Sequence, residues 1–286
     1  MKLFSVNNKW RLGLTRSRVF QILVGLVVSI FTAFALVSIA FEANDVGSEK
    51  TSTVESGSPL TVFITGANRG LGLEFSTQFH AAGHTVIATA RKPQEASDLK
   101  ALGVRIEELD VTKPESIARL TKTLNSTPID ILINNAGYYP RVNGEKMSQH
   151  RLVQFDLVER AIQVNALGPM RVVQALLPNM KLGSGKVIVN ISSRSGSLAL
   201  TTSPGYGYRE SKAALNMFTR SIAGELKSQG FTCIALAPGY MRTGMSLHKG
   251  GADPKDRAQA IRKIIGDLTI EDTGKFFNYT GEVVPW

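Results

Sequence analysis

Two side chains in the C-terminal half of the chain have the types and spacing of a proton-transfer pair. Tyr208 and Lys212 are four residues apart, so on a helix they would share one face. A nearby ammonium group favours the phenolate and lowers a tyrosine pKa from its usual ~10. The pair therefore predicts a tyrosine that can act as a general acid near neutral pH. Because such a pair is also common on surface helices, the prediction depends on the surrounding motifs.

A glycine-rich turn far upstream has the features of a phosphate-binding turn. Residues 65–72 read TGANRGLG, after a β-rich run at 60–65 and before a helical pattern from Gly70 to Ala82. Glycines let the backbone turn sharply and approach a pyrophosphate, and the N-terminus of the next helix offers free N–H groups and a positive dipole end. The strand before the turn and the helix after it are the context that this motif requires. The alternative is that the glycines only form a tight turn.

The end of the second predicted strand indicates which dinucleotide would bind. A carboxylate there would accept hydrogen bonds from a ribose 2′-hydroxyl group, but the strand runs into Ala90, Arg91 and Lys92, and the first acid is Glu95. Arg69 lies inside the glycine-rich turn, so two arginines could clamp a 2′-phosphate. The sequence therefore favours NADP(H) over NAD(H), with two merely solvated arginines as the alternative.

Strands and helices alternate from residue 60 onward. The predicted strands are short apolar runs at 60–65, 84–90, 104–109, 130–134, 186–191 and 231–237. Continuous apolar runs are typical of a parallel sheet buried on both faces, and the alternation predicts a doubly wound α/β (Rossmann) fold. Such folds bind ligands at the carboxyl edge of the sheet, where Ser193 follows a predicted strand.

Seven short motifs occur in the order and at roughly the spacing of one enzyme family. They are TGANRGLG at 65–72, DV at 110–111, NNAG at 134–137, VNALGP at 164–169, ISS at 191–193, YRESK at 208–212 and PG at 238–239. Residues 60–286, about four fifths of the chain, resemble the short-chain dehydrogenase/reductases (SDR). Residues 205–226 and 272–286 are similar to the sniffer/C-factor type of carbonyl reductase. The resemblance implies one Rossmann-fold catalytic domain that reduces a ketone or aldehyde to an alcohol with NADPH.

The resemblance also implies a role for each catalytic candidate. Tyr208 would be the general acid, and Lys212 would also hydrogen-bond the nicotinamide ribose. Ser193 would orient the substrate carbonyl and stabilise its developing oxyanion. Asn165 would hold a water that connects the lysine to a proton relay, and its alternative role is that of a helix-packing amide.

Two neighbouring residues compete with these assignments. Ser192 stands beside Ser193, and the motif alignment favours Ser193. Tyr206 precedes Tyr208, but only Tyr208 has a lysine four residues on. The interval from Ser193 to Tyr208 is somewhat long for the family.

A larger set of residues would surround the cofactor by the same resemblance. These cofactor-binding candidates are Gly66, Asn68, Arg69, Gly70, Leu71, Gly72, Arg91, Asp110, Val111, Asn135, Ala136, Gly137, Ile191, Tyr208, Lys212, Pro238, Gly239 and Thr243. The segment 244–268 falls where the family places its substrate lid, and Arg257, Arg262 and Lys263 are expected to form a solvated face there.

The first 59 residues are predicted to lie outside the catalytic domain. Residues 1–18 are basic and contain no acid, and 19–41 form an uncharged run of 23 residues. As a helix this run would span about 34 Å, enough for the ~30 Å core of a bilayer. The pattern predicts a transmembrane signal anchor at 19–41 and a flexible linker at 42–59, with a cleaved signal, an organelle-targeting peptide and a buried core helix as alternatives.

The charge pattern and the expected cofactor give opposite expectations for the side of the membrane on which the domain lies. The positive-inside rule places the N-terminus in the cytoplasm and would export the domain, whereas an NADPH enzyme suits cytosolic or organellar exposure.

Half of the net charge of +10 lies in residues 1–18, so no basic stripe predicts nucleic-acid binding. A single cysteine and four scattered histidines give no metal-ligand spacing. A small-molecule carbonyl substrate and a homodimer are expected.

Two other classes of function compete with the reductase. One is a catalytically silent dinucleotide sensor on the same fold, and the other is a membrane-tethered signalling or scaffold protein. A sensor need not keep Ser193, Tyr208 and Lys212 together, so their presence favours the enzyme.

Overall fold

Seven parallel strands form the central sheet in a computed structural model of the chain, which describes residues 58–200 and 204–286. The spatial order is β3-β2-β1-β4-β7-β8-β9, and β5 and β6 form a separate antiparallel hairpin. The strands are β1 Thr61–Ile64, β2 Thr85–Ala90, β3 Arg105–Glu108, β4 Ile131–Asn134, β5 Arg141–Val142, β6 Glu145–Lys146, β7 Val187–Ile191, β8 Thr232–Ala237 and β9 Phe276–Asn278. The chain reverses its direction of progress between β1 and β4, which opens a ligand crevice at their carboxyl ends.

Helices cover both faces of the sheet. They are α1 Gly70–Ala81, α2 Ser97–Leu102, α3 Pro114–Leu124, α4 Phe155–Ile162, α5 Gly168–Leu182, α6 Tyr208–Leu226 and α7 Pro254–Gly266. One apolar cluster joins α1, α2 and α7 to the sheet, and a second joins α3, α5 and α6 to the other face. This two-sided covering confirms the doubly wound α/β fold that the alternation predicts, and it explains why the inner strands are continuously apolar.

The six strands predicted from sequence are all present, each shorter than its apolar run by one or two residues. The sequence did not predict β9, which has only three residues and pairs with β8 through Ala235 and Phe276. The edge strand β3 is the exception to continuous burial, because its Arg105 and Glu108 are exposed. An edge strand needs only one neighbour, so polar side chains are tolerated there.

The segment 244–268, which was predicted to form a substrate lid, includes a helix that packs on the core. Its second half is α7, whose Ala258, Ile261 and Ile265 are fully buried in the same apolar cluster as α1. Arg257 and Arg262 are half-buried and Lys263 is exposed, so the prediction of a solvated face is confirmed only for Lys263. The guanidinium carbon of Arg257 lies 3.2 Å from the centroid of the Tyr279 ring.

The predicted basic segment 1–18, transmembrane helix 19–41 and all but the end of the linker 42–59 lie outside the described residues. Within residues 58–200 and 204–286, no helix has the length and apolar character needed to cross a membrane. The three N-terminal segments stay predictions.

Candidate active site

Side chains after β1 and β4 tie the glycine-rich turn to the neighbouring strand. The Thr65 hydroxyl accepts hydrogen bonds from the backbone N–H groups of Asn135 and Ala136, each at 3.0 Å. The Asn135 amide in turn donates to the carbonyls of Thr65 and Gly66, also at 3.0 Å. A Cβ atom on Gly72 would lie 2.5 Å from both the Asn135 amide nitrogen and the Gly66 carbonyl. The turn therefore needs a glycine at position 72 to pack against its own backbone.

The N-terminus of α1 is suited to an anion. The helix begins at Gly70, which has a φ of +56°, and no acidic residue lies in its first turn. No described side chain caps this end. The methyl carbon of Thr243, after β8, would lie 3.4 Å from a Cβ built on Gly70. Free N–H groups and the positive end of the helix dipole are thus available to a phosphate group.

Two exposed arginines lie at the predicted adenine side. Arg69 precedes α1 and Arg91 follows β2, and neither has an ion-pair partner within the described part of the chain. Burial would raise the pKa of the nearby Asp110, but hydrogen bonds from Thr112 and the charges of Arg91 and Lys113 lower it overall. Asp110 therefore stays ionised at neutral pH.

The ends of β7 and α6 bring Ser193, Tyr208 and Lys212 together. Tyr208 is the first residue of α6, and its side chain is hydrogen-bonded to that of Ser193. Lys212 is one turn further on and only 4% exposed, and its Nζ donates to the Ile191 carbonyl at 2.7 Å. The same Nζ lies 5.9 Å from the centroid of the Tyr208 ring. The spacing-based prediction that the two side chains share a face agrees with this arrangement.

The ionisation of the pair differs from the sequence expectation. Burial raises the pKa of Tyr208 to about 12, although its hydrogen bond to Ser193 opposes the rise. Burial also lowers the pKa of Lys212 to about 7. The expected lowering of the tyrosine pKa by the ammonium was wrong, because burial outweighs the hydrogen bond to Ser193 and Tyr139 adds to the rise. Tyr208 is consequently protonated at neutral pH.

The hydrogen bonds of the neighbouring residues separate the competing candidates. The Ser192 hydroxyl is buried and donates to Asn216 Oδ1 at 2.5 Å, whereas Ser193 is the serine that reaches Tyr208. Tyr206 lies in the turn before α6, where its N–H donates to the carbonyl of Met147 at 3.0 Å. Only Ser193 and Tyr208 are thus placed next to each other.

Asn165 lies in a π-helical turn at Gln163–Leu167, between α4 and α5. It is fully buried, and its Oδ1 accepts from the Tyr138 N–H at 2.7 Å. Its Nδ2 donates to the Tyr138 carbonyl at 2.8 Å and to the Ser211 hydroxyl at 2.9 Å. Asn165 therefore links the turn after β4 to the helix that carries Tyr208. Such π-helical turns are frequent at functional sites, and no sequence pattern predicted this one.

The remaining candidates also follow strand ends. Gly239, after β8, has a φ of +77°, and a Cβ there would lie 2.9 Å from the Tyr279 ring. Val111 is buried, and its side chain would lie 2.8 Å from a Cβ on Gly168, at the start of α5. The structure thus places the candidates at the carboxyl ends of β1, β2, β3, β4, β7 and β8. Tyr139, whose ring centroid is 4.5 Å from that of Tyr208, was missed by the sequence analysis. Its place two residues after the NNAG motif was the available signal.

Comparison with known proteins identifies the family. Residues 60–252 match the sequence model of the family described as short chain dehydrogenase. C-signal of Myxococcus xanthus is 39% identical over 160 residues, which are 56% of this chain and 93% of that protein. The NADPH bound carbonyl reductase from chicken fatty liver has a TM-score of 0.70 and 31% identity, over 80% of this chain and 100% of that chain. Carbonyl reductase Sniffer of D. melanogaster has a TM-score of 0.73 and 28% identity over the same shares. The chain belongs to the short-chain dehydrogenase family of oxidoreductases.

Proposed function

We propose that this protein is an NADPH-dependent carbonyl reductase that converts a ketone or aldehyde to an alcohol. The observation that carries the proposal is the hydrogen-bonded pair of Ser193 and Tyr208 beside the buried Lys212. Two hydroxyl groups at this place can hold one carbonyl oxygen, and one of them can give it a proton. The solved carbonyl reductases with this fold support the same class of reaction.

The residues around the crevice fit a dinucleotide with a 2′-phosphate. The uncapped N-terminus of α1 would hold the pyrophosphate, and Arg69 and Arg91 would hold the 2′-phosphate. Lys212 would hold the nicotinamide ribose, and the turns after β4 and β8 would enclose the nicotinamide. When bound, the dinucleotide supplies the hydride. The NADPH bound relative from chicken supports this choice of cofactor.

The protein's own contribution is to orient the carbonyl and to supply the proton. Ser193 and Tyr208 donate hydrogen bonds to the carbonyl oxygen, and Tyr208 transfers its proton as that oxygen becomes negative. With a pKa of about 12, Tyr208 is protonated at neutral pH but remains a stronger acid than an ordinary alcohol. The cationic form of Lys212 stabilises the tyrosinate left behind, and Asn165 fixes α6 against the turn after β4.

The decisive variant is Tyr208→Phe, with Tyr206→Phe as its matched control. We expect NADPH oxidation with aldehydes and ketones to fall about 10²–10⁴-fold in Tyr208→Phe, because the general acid is lost. NADPH affinity, measured by fluorescence titration, should stay within threefold of wild type. Tyr206→Phe should keep most of the activity. Equal rates in Tyr208→Phe and wild type would exclude Tyr208 as the acid.

For residues 19–41 we propose a single-pass anchor, supported by their length and lack of charge. The proposal allows two topologies, with the catalytic domain on the cytosolic or on the lumenal face. It also includes a homodimer. Protease treatment of intact vesicles tests the topology: a domain on the cytosolic face is digested without detergent, and a lumenal or exported one only with it. Full extraction of the intact chain by carbonate would contradict the anchor.

A further inference from the structure

Tyr139 and Arg141 form a stack that ends on Tyr208. The rings of Tyr139 and Tyr208 have centroids 4.5 Å apart and an interplanar angle of 34°. The guanidinium carbon of Arg141 lies 4.8 Å from the centroid of the Tyr139 ring. Aromatic pairs and cation–π contacts at these distances are attractive. The stack therefore holds Tyr139 against the residue proposed as the acid.

Arg141 also connects this stack to the loop after β8. One terminal nitrogen of its guanidinium donates to the carbonyl of Gly144, within its own hairpin, at 3.1 Å. The other donates to the carbonyl of Met245 at 3.1 Å. The Met245 side chain lies against the turn after β4, with its terminal carbon 3.2 Å from where a Cβ on Gly137 would be. Arg141 thus fastens the loop at the point where it covers the NNAG motif.

Apart from Arg141, the loop at residues 244–250 is held mainly by residues near it in sequence, among them Tyr240, whose hydroxyl donates to the Lys249 carbonyl at 2.6 Å. Met245 and Leu247 are 40% and 44% exposed, so burial contributes little to its stability. Leu247 and His248 both have a φ of +56°, a strained conformation for residues with side chains. Most of its backbone hydrogen bonds join neighbours within residues 243–249. A local structure of this kind opens at small free-energy cost unless a distant residue fastens it.

We propose that Arg141 is a latch that holds the loop 244–250 closed, and that Tyr139 is a wall that selects the carbonyl substrate by width. The proposal rests on the proposed function, because the wall matters only if a substrate carbonyl reaches Tyr208. Because the Tyr139 ring lies against the Tyr208 ring, the proposal has the substituents of a carbonyl bound to Tyr208 pass along Tyr139. Slim carbonyl compounds fit this arrangement, and those with a broad group on each side do not.

The latch is tested on the full-length protein without cofactor by hydrogen–deuterium exchange. We expect Arg141→Leu to speed exchange of the amides in 244–250 about tenfold, because the charged donor to Met245 is lost. The matched control is Arg160→Leu, since Arg160 likewise stacks on a tyrosine, with its guanidinium carbon 4.5 Å from the centroid of the Tyr138 ring. Exchange in Arg141→Leu equal to that in the control would overturn the latch. This readout does not depend on enzymatic activity.

The wall is tested by kinetics with NADPH, a linear aliphatic aldehyde and benzophenone. We expect Tyr139→Ala to raise the ratio of kcat/KM for benzophenone to that for the aldehyde about tenfold. Tyr139→Phe keeps the ring and should leave the ratio within twofold of wild type. An equal change for both substrates would overturn the wall. If wild type reduces neither compound nor any other carbonyl, the wall fails together with the proposed function, while the exchange result still decides the latch.

Discussion

Replacing Lys212 by methionine should change how the stability of the protein depends on pH. Burial depresses the pKa of Lys212 from 10.5 to about 7 in the folded protein. Between these two values the unfolded chain binds a proton that the folded chain does not, so the wild-type free energy of unfolding rises with pH. From pH 7 to pH 9 the rise from this one group is about 2 kcal/mol, at 1.36 kcal/mol per unit of pKa and with Lys212 half-charged at pH 7. Lys212→Met lacks this contribution.

The assay is urea unfolding of the apoprotein at pH 7, 8 and 9, followed by circular dichroism. We expect wild type to gain about 2 kcal/mol relative to Lys212→Met over this range, whatever their offset at pH 7. That offset also contains the lost hydrogen bond to Ile191. The matched control is Lys122→Met, because Lys122 is exposed on α3. Its free energy of unfolding should change with pH as that of wild type does. A difference in the free energy of unfolding between wild type and Lys212→Met that stayed constant from pH 7 to pH 9 would refute the argument that burial lowers the pKa of Lys212.

Three further experiments test separate parts of the site. Arg69→Ala with Arg91→Ala should raise the Kd for NADPH about 10–100-fold in fluorescence titrations and leave NADH nearly unchanged; equal weakening of both would contradict the 2′-phosphate assignment. Gly72→Ala should lower the free energy of unfolding by about 1–3 kcal/mol, whereas Gly224→Ala, with open space around it, should be neutral or slightly stabilising. Ser193→Ala should reduce kcat about 10²-fold with little effect on Tm, and Ser192→Ala should instead lower Tm through the lost bond to Asn216. If Ser192→Ala reduced kcat and Ser193→Ala lowered Tm instead, the two serines would have the opposite roles.

The sheet and the phosphate turn were predictable because local sequence determines them. A buried parallel strand needs an unbroken apolar run, and the turn at 65–72 needs glycine where its backbone packs on Asn135. The strand β9 was not predictable, because three residues are too few to show a pattern of apolar residues. Its pairing with β8 also joins segments that are distant in sequence. The buried face of α7 did have a signal, because Ala258, Ile261 and Ile265 follow helical spacing.

The electrostatics of the site could not be predicted from spacing alone. The distance between Tyr208 and Lys212 along the chain suggested a mutual charge effect, but both pKa values are governed by burial. Burial is set by the whole packed fold, including the turn after β4 and the end of β7. The contact of Tyr139 with Tyr208 also depends on tertiary structure, because 69 residues separate them in the sequence.

The π-helical turn at Gln163–Leu167 makes the candidate active site sensitive to chain length. It holds one residue more per turn than an α-helix, and that extra residue is accommodated between α4 and α5. Deleting a single residue from it would give a more regular helix whose flanks keep their places, while the residues inside the turn shift by one position, about 100° around the helix axis. Asn165 would then leave Tyr138 and Ser211. Homologous chains that differ here by one residue would keep the fold and need another group to join α6 to the turn after β4.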